Sequence, residues 1–518
     1  MCATHRTMGK VAENNKRIAK NTLMLYIRMF FIMAVTLYTS RVILQVLGVE
    51  DFGIYNVVGG VVAMIGFLKG TMSAATTRFI SYELGRDDKE QLRKTFCVSV
   101  MIYALICLVF FLLAETVGLW FLNTHLVIPA SRLMAANWVF QFTIASLIIE
   151  MMAQPYNATI IAHERMSFYA YVSIIEVILR LAVVFALLVS PFDHLAAYGF
   201  LLMCVSVIIR AIYGVYCGKN FPECDFKIYR DKELFVRMLS YSGWNLFGSL
   251  ATLVRGQGLN ILLNMFFNPV VNAARGIAFQ ISNAISQFSQ NFYMAVRPQI
   301  TKYYAQEDLE NMFLLIFRSS RFSFYLNLLF SVPLLLETPY VVHLWLGQVP
   351  EHVVEFSRLV IVVAAIEAME HPIMTASHAT GRVALYQSVV GTMKILIVPI
   401  SYVFLRMGYP PATVFWVSLV VSVICIFVRL FIIKYLIPTF PVIRYMREVL
   451  VMCILVTIAS FAIPALAYHY LQSGMWDCFV VFIISFVSSA VAIVLFGMRS
   501  DERGYMTAII KKKILHKA

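Results

Sequence analysis

The chain has 518 residues, 60% of them hydrophobic and 14% charged, with a mean hydropathy of +0.78. A soluble chain carries roughly a quarter charged residues, and single cores stop growing near about 250–300 residues, so a soluble enzyme, a secreted disulfide scaffold and a disordered chain are excluded. The formal charge of +14 has no polar domain to form a nucleic-acid surface, so no nucleic-acid partner is expected; the surplus is read as the positive-inside bias of a polytopic membrane protein.

The basic stretch MCATHRTMGKVAENNKRIAK leads into an apolar run that is too long, and lacks the small-residue site, for a cleaved signal peptide. At about 20 apolar residues per crossing, fourteen helical spans are predicted: 18–47, 52–80, 96–122, 131–155, 166–189, 194–217, 238–267, 269–297, 318–336, 354–378, 383–406, 412–437, 449–471 and 476–498. Unpaired backbone has no partner in lipid and no alternating barrel pattern occurs, so the expected class is an all-α polytopic membrane protein. The seventh and eighth spans are the most polar, rich in Asn, Gln, Ser and Gly. The N-terminus, the even-numbered joints and the C-terminal tail hold 24 Lys and Arg, and the odd-numbered joints hold none, with Arg132 and Arg406 just inside neighbouring spans. Both termini are therefore expected in the cytoplasm.

The long polar joint 218–237 separates six spans from the next six. This predicts an N-lobe (1–222), a C-lobe (223–440), a C-terminal helix pair (441–498) and a basic cytoplasmic tail (499–518) ending in KKKILHKA, which suits anionic headgroups. Sliding the chain by 219 residues lays Arg78 on Arg297, and the loops GRDDKE (85–90) and AQEDLE (305–310) nearly coincide. An even number of spans per half would make this a parallel repeat.

An ionised residue near the bilayer centre costs at least about 2.5–3.5 kcal/mol, so each one needs a reason. Rise per residue puts Arg28, Lys69, Arg180, Arg255 and Lys394 near the midplane, Arg41 and Arg275 in the outer third, and Arg210 and Arg429 in the inner third. The deep acids on this reading are Glu176, Glu367 and Glu370. Glu176 and Arg180, four apart, are read as a structural ion pair; Arg41 suits the outer interface, and Arg210 and Arg429 suit snorkelling to the inner headgroups. Glu367, Glu370 and His371 either pair with cations on neighbouring helices or carry a coupling proton. Arg28, Lys69, Arg255, Arg275 and Lys394 are left with too few acids to neutralise them, which predicts a cationic cavity for an anionic substrate such as a phosphate, the group that Arg binds bidentately. Asn260, Asn264, Gln280, Asn283 and Gln287 share helix faces on the polar spans and serve either sugar binding or interhelical contact. No GxxxxGK[ST], HExxH or GxSxG motif occurs, and the nine cysteines lack ligand spacing, so no catalytic residue, metal or cofactor is expected.

The segments SRVILQVLGVEDFGIYNVVGGVV (40–62), NPVVNAARGIAFQISNAISQF (268–288), RPQITKYYAQED (297–308), LWLGQVPEH (344–352) and ATGRVALYQ (379–387) resemble the multidrug/oligosaccharidyl-lipid/polysaccharide (MOP) exporter superfamily, and within it the Wzx-type polysaccharide flippases of bacteria. The first is similar to the LG-x-x-x-[FY]-G-x-[FY] turn between the first two spans. The resemblance implies two six-helix lobes in a V, with substrate handled in the cleft and Arg28, Lys69 and Arg275 at positions where similar flippases carry cations; the reading of the charges and polar faces adds Arg255, Lys394, Asn264, Gln280, Asn283 and Gln287 as substrate-binding candidates. It also implies a monomer in the bacterial inner membrane. The expected substrate is an undecaprenyl-pyrophosphate-linked oligosaccharide for O-antigen or capsule, moved from the cytoplasmic to the periplasmic leaflet and passed to polysaccharide polymerase machinery. Membrane potential or a proton or sodium gradient would drive it, with Glu367 and Glu370 as coupling candidates. The alternative is an ion-coupled drug antiporter; drug-exporting relatives are described with acidic residues in the cavity, commonly an Asp on the first span, where this chain has Arg28 and Arg41.

Overall fold

A computed structural model of the chain describes residues 2–124, 128–267, 269–346, 349–471, 474–499 and 502–504. Within the first helix the side chains of 2–16 and of scattered positions up to 71, Arg41 and Lys69 among them, lie outside the description, as does the KKKILHKA tail. The described residues form helices and no strands: α1 (Cys2–Arg86), α2 (Lys89–Leu113), α3 (Leu119–Thr124), α4 (Leu133–Ala162), α5 (Met166–Leu188), α6 (His194–Asn220), α7 (Lys232–Phe266), α8 (Pro269–Ala305), α9 (Leu309–Leu346), α10 (Val353–Ala379), α11 (Val383–Arg406), α12 (Thr413–Leu436), α13 (Val442–Tyr445), α14 (Met452–Tyr470) and α15 (Met475–Ala492). Aspartates start several of them. Asp88, Asp193 and Asp231 accept from the amides of Gln91, Ala196 and Leu234 at 3.0, 3.0 and 2.9 Å, satisfying donors that have no partner within the helix.

Helix α1 differs from the expected pair of spans. Helical backbone runs over 85 residues and takes in the joint expected at 48–51; a straight helix of that length would measure about 128 Å at about 1.5 Å per residue. Helix α1 is not straight. Asn21 donates to the Glu164 carbonyl at 3.0 Å, and Gly85 lies against Lys302, whose ammonium is 2.7 Å from the Glu164 carboxylate. Between these points Asp51 pairs with Arg132, at the opposite end of α4. The helix therefore doubles back, and the first two predicted spans are its two arms.

Among the described residues, twelve helices are long and apolar enough to cross a membrane. The chain is a multi-pass membrane protein. The two predicted spans missing from that set are the second, on the return arm of α1, and the eighth, α8, whose amide and hydroxyl side chains lower its hydropathy.

The chain divides into two compact units, 1–246 with 301–307 and 247–300 with 308–518. In the first, α4 packs on α1 and α6, and α5 on α1; Val58, Phe110, Val139, Phe140 and Leu195 are among its buried residues. In the second, α10 packs on α9 and α12, and α14 pairs with α15 against α9. Lipid is as apolar as these side chains, so close fit rather than water exclusion holds the helices together. Gly85 shows how close: a Cβ there would stand 2.7 Å from the Ala305 Cβ and 2.9 Å from the Lys302 carbonyl oxygen.

The two loops that nearly coincide under the 219-residue shift also have the same form. Asp87 and Glu307 both adopt left-handed backbone, at φ 56° and 58°. Each precedes an aspartate, Asp88 or Asp308, that accepts from an amide three residues on.

Glu164 anchors this end of the first unit. Its side chain is fully buried and holds Arg17 and Lys302, each at 2.7 Å. Removing the carboxylate charge leaves cations behind, which for a buried pair costs about 3–5 kcal/mol. Glu164→Gln is expected to lower the thermal midpoint of the detergent-solubilised protein by several degrees; an unchanged midpoint would mean that water replaces the carboxylate at little cost.

Candidate functional site

Each unit carries its own group of charges within its long helices. In the first unit, Arg28 on α1 lies over the Tyr169 ring of α5, 4.6 Å from its centroid, and its Nε is buried with no hydrogen-bond partner. Among the described residues no carboxylate lies within ion-pair distance of it. Further along α5, Arg180 and Glu176 form the expected internal pair at 2.8 Å. The pair extends to a residue the sequence reading missed: Arg180 also reaches Glu150 on α4 at 3.4 Å, and Ser206 on α6 donates to the same carboxylate at 3.4 Å. The fourth span was expected to end at 155, which put Glu150 near an interface; α4 continues to Ala162, which carries Glu150 inward. Arg210, on α6, stacks over Tyr156 at 4.1 Å. An aromatic face stabilises a desolvated cation by about 2 kcal/mol and leaves its charge intact.

The second unit is denser. Glu367, at the middle of α10, binds Arg255 of α7 at 2.8 Å and has Lys394 of α11 at 3.8 Å. Three residues along, Glu370 binds Arg429 of α12 at 2.8 Å, with only 4% of either side chain exposed. Arg429 therefore does not snorkel; it is half of a buried pair. Of the two readings open for the α10 acids, this is pairing with cations on neighbouring helices. His371 stacks on Tyr293 at 5.0 Å, and the Tyr293 hydroxyl bonds Thr375 at 2.6 Å.

Arg275 stands differently. The short joint between α7 and α8 folds the two helices back on each other, so Arg275 donates to the Gly256 carbonyl at 2.6 Å and to Asn260 at 3.4 Å, while its plane lies 4.6 Å from the Phe279 centroid. Its Nε is buried without a hydrogen-bond partner, and no carboxylate lies within ion-pair distance among the described residues. A guanidinium has five donors, so donors remain for an anion. Asn264, Gln280, Asn283 and Gln287 are all exposed on this unit rather than packed between its helices. Lys69 lies on α1, but its side chain is outside the described residues.

The structure thus brings Arg255 and Lys394 onto one carboxylate, and leaves Arg28 and Arg275 on aromatic rings and amide oxygens. At the end of the first unit opposite Glu164, Arg132 pairs with both Asp51 and Asp193. Burial works against the charged form of Asp193, yet the Ala196 amide and Arg132 outweigh it and hold its carboxyl below the usual range.

Comparison with solved structures defines the class. A MATE transporter crystallised in complex with MaD3S matches with a TM-score of 0.70 at 13% identity, over 82% of this chain and 97% of that one. An outward-facing multidrug resistance MATE family transporter of the MOP superfamily matches at 0.68 and 13%, over 81% and 97%. A MOP superfamily transporter from Pyrococcus furiosus, described as having a binding pocket of reversed polarity that suggests a different function, matches at 0.65 and 13%, over 81% and 96%. The fold is that of the MOP transporters. The sequence profile described as "Polysaccharide biosynthesis protein" matches residues 18–304, and the chain belongs to that family of the MOP superfamily. A comparison with curated proteins finds no match.

Proposed function

We propose that this protein is a flippase that moves an undecaprenyl-pyrophosphate-linked oligosaccharide from the cytoplasmic to the periplasmic leaflet of the bacterial inner membrane by alternating access, with both termini cytoplasmic. The supporting observation is that Arg28 and Arg275, both partly buried, keep an uncompensated charge and unused N–H donors. A diphosphate offers oxygens in the geometry that a guanidinium fork accepts bidentately. Arg255 and Lys394 share Glu367 and add charge, with Lys69 as a further cation of the site. The exposed amides of Asn264, Gln280, Asn283 and Gln287 suit sugar hydroxyls. The lipid tail stays in the bilayer, and membrane potential or a cation gradient supplies the driving force without a cofactor. The protein works as a monomer and hands its product to polymerase machinery.

A second reading, cation-coupled drug efflux, is favoured by the multidrug description of one structural neighbour. It needs a carboxylate able to exchange its cation, and Glu367 and Glu370 are each held by arginine. Deleting the gene in its native host separates the two. Loss of one surface glycan with accumulation of its lipid-linked repeat unit is expected; unchanged glycans with altered drug accumulation would overturn the flippase and establish efflux.

A further inference from the structure

The Lys/Arg-rich end of the second unit holds a cavity that is separate from the deep charges. Its volume is about 830 Å³, and it forms where α12 ends, the short α13 turns and α9 passes beside them. Arg321, Lys434, Arg444, Arg447 and Arg499 line it, against Glu448 as the lining carboxylate. That carboxylate is already shared, with Arg444 at 2.7 Å and Arg499 at 2.9 Å. Arg321 is 2% exposed; it bonds Glu502 at 2.9 Å, and its Nε is buried with no hydrogen-bond partner. Lys434 donates to the carbonyls of Pro438 and Phe440, which are neutral acceptors. Arg447 is exposed and has no ion pair among the described residues.

Positive-inside bias accounts for cations at this end of the protein, but not for their convergence on one cavity, nor for a buried guanidinium with a spare donor in its wall. The surroundings are apolar. Ile443, which lines the cavity, is 83% exposed, and Phe431 and Tyr435 on α12 are 76% and 68% exposed. An anion that fits must therefore carry its own apolar part along these side chains. We infer that the cavity binds the phosphate headgroup of an anionic phospholipid in the adjacent leaflet, with its acyl chains lying on the exposed face of α12. Basic pockets between transmembrane helices hold such headgroups by the same physics. The inference concerns the second unit alone and does not depend on what the protein transports.

The test uses the full chain in detergent, with lipid binding read by native mass spectrometry and by the thermal midpoint. Cardiolipin and phosphatidylglycerol are expected to bind and raise the midpoint, and phosphatidylcholine to do neither. Each cation near a charged headgroup changes affinity about fivefold, so Arg447→Gln should weaken cardiolipin about fivefold and R444Q/R447Q about 25-fold. Arg230→Gln, which removes an exposed cation in the joint between α6 and α7, should leave it unchanged. Arg447 has no ion pair to lose, so R447Q decides the matter if the double variant does not fold. Equal binding of phosphatidylcholine, or wild-type cardiolipin affinity in R447Q, would overturn the inference. A full midpoint shift with inorganic phosphate alone would assign the cavity to a free anion instead.

Discussion

Glu367→Gln is expected to destabilise the second unit strongly. The carboxylate holds Arg255 at 2.8 Å and has Lys394 at 3.8 Å, with 25%, 15% and 19% of the three side chains exposed. Removing one partner of such a pair costs about 3–5 kcal/mol, because the remaining charge stays where water is scarce. With two cations left behind, the upper part of that range applies, and membrane abundance should fall with the thermal midpoint. The double change R255Q/E367Q should recover much of the loss, since it removes the stranded guanidinium together with its acid. This pattern separates a structural pair from a coupling site. A coupling carboxylate would give E367Q near wild-type abundance and a transport rate that no longer responds to the ion gradient, and R255Q/E367Q would not restore it. Wild-type stability in E367Q would show that the cations find other partners, and that the charge balance of the second unit is not set by this acid.

The charges show what a sequence conveys about such a protein. Hydropathy read the helical crossings well, because lipid demands apolar length, and depth along a helix follows from rise per residue. The direction in which a side chain points around its helix is not written in one helix alone. Arg429 sits seven residues from the end of α12, which suits an interfacial cation, yet it faces Glu370 on α10 and is buried there. Glu150 was missed because apolar content thins before α4 ends. The partners of Arg28, Arg210 and Arg275 include Tyr169, Tyr156 and Phe279, which carry no charge and so give no signal in a count of acids and bases. The Arg275 bonds to Gly256 and Asn260 were more accessible, since a joint as short as that after Phe266 brings nearby positions of α7 and α8 together. The reversal between the first two spans was legible as the joint expected at 48–51; the contacts that fix it, Asp51 on Arg132 and Asn21 on the Glu164 carbonyl, were not, because those partners lie more than 80 residues away in the chain.

Those aromatic and amide partners make Arg28 and Arg275 the residues whose reversal should most affect transport. Arg28→Glu and Arg275→Glu are each expected to abolish restoration of the surface glycan in a deletion strain, with export falling more than about 100-fold. A charge-assisted hydrogen bond to an anion is worth about 1.5–3 kcal/mol, and reversal replaces that attraction with repulsion of a diphosphate. Folding is the confounding variable, and the two sites allow it to be separated. No carboxylate is left unpaired when either arginine is replaced by Gln, so R28Q and R275Q should retain most of the protein in the membrane while export falls about tenfold or more. Lysine is the more discriminating replacement. Arg28→Lys keeps the charge over Tyr169 but loses the planar fork, and Arg275→Lys has one ammonium to divide between the Gly256 carbonyl and an incoming phosphate. Partial export in R28K with greater loss in R275K would therefore locate bidentate recognition at Arg275. Full export in both reversed-charge variants, at normal abundance, would mean that the uncompensated cations serve the protein's own packing and that its substrate is held elsewhere.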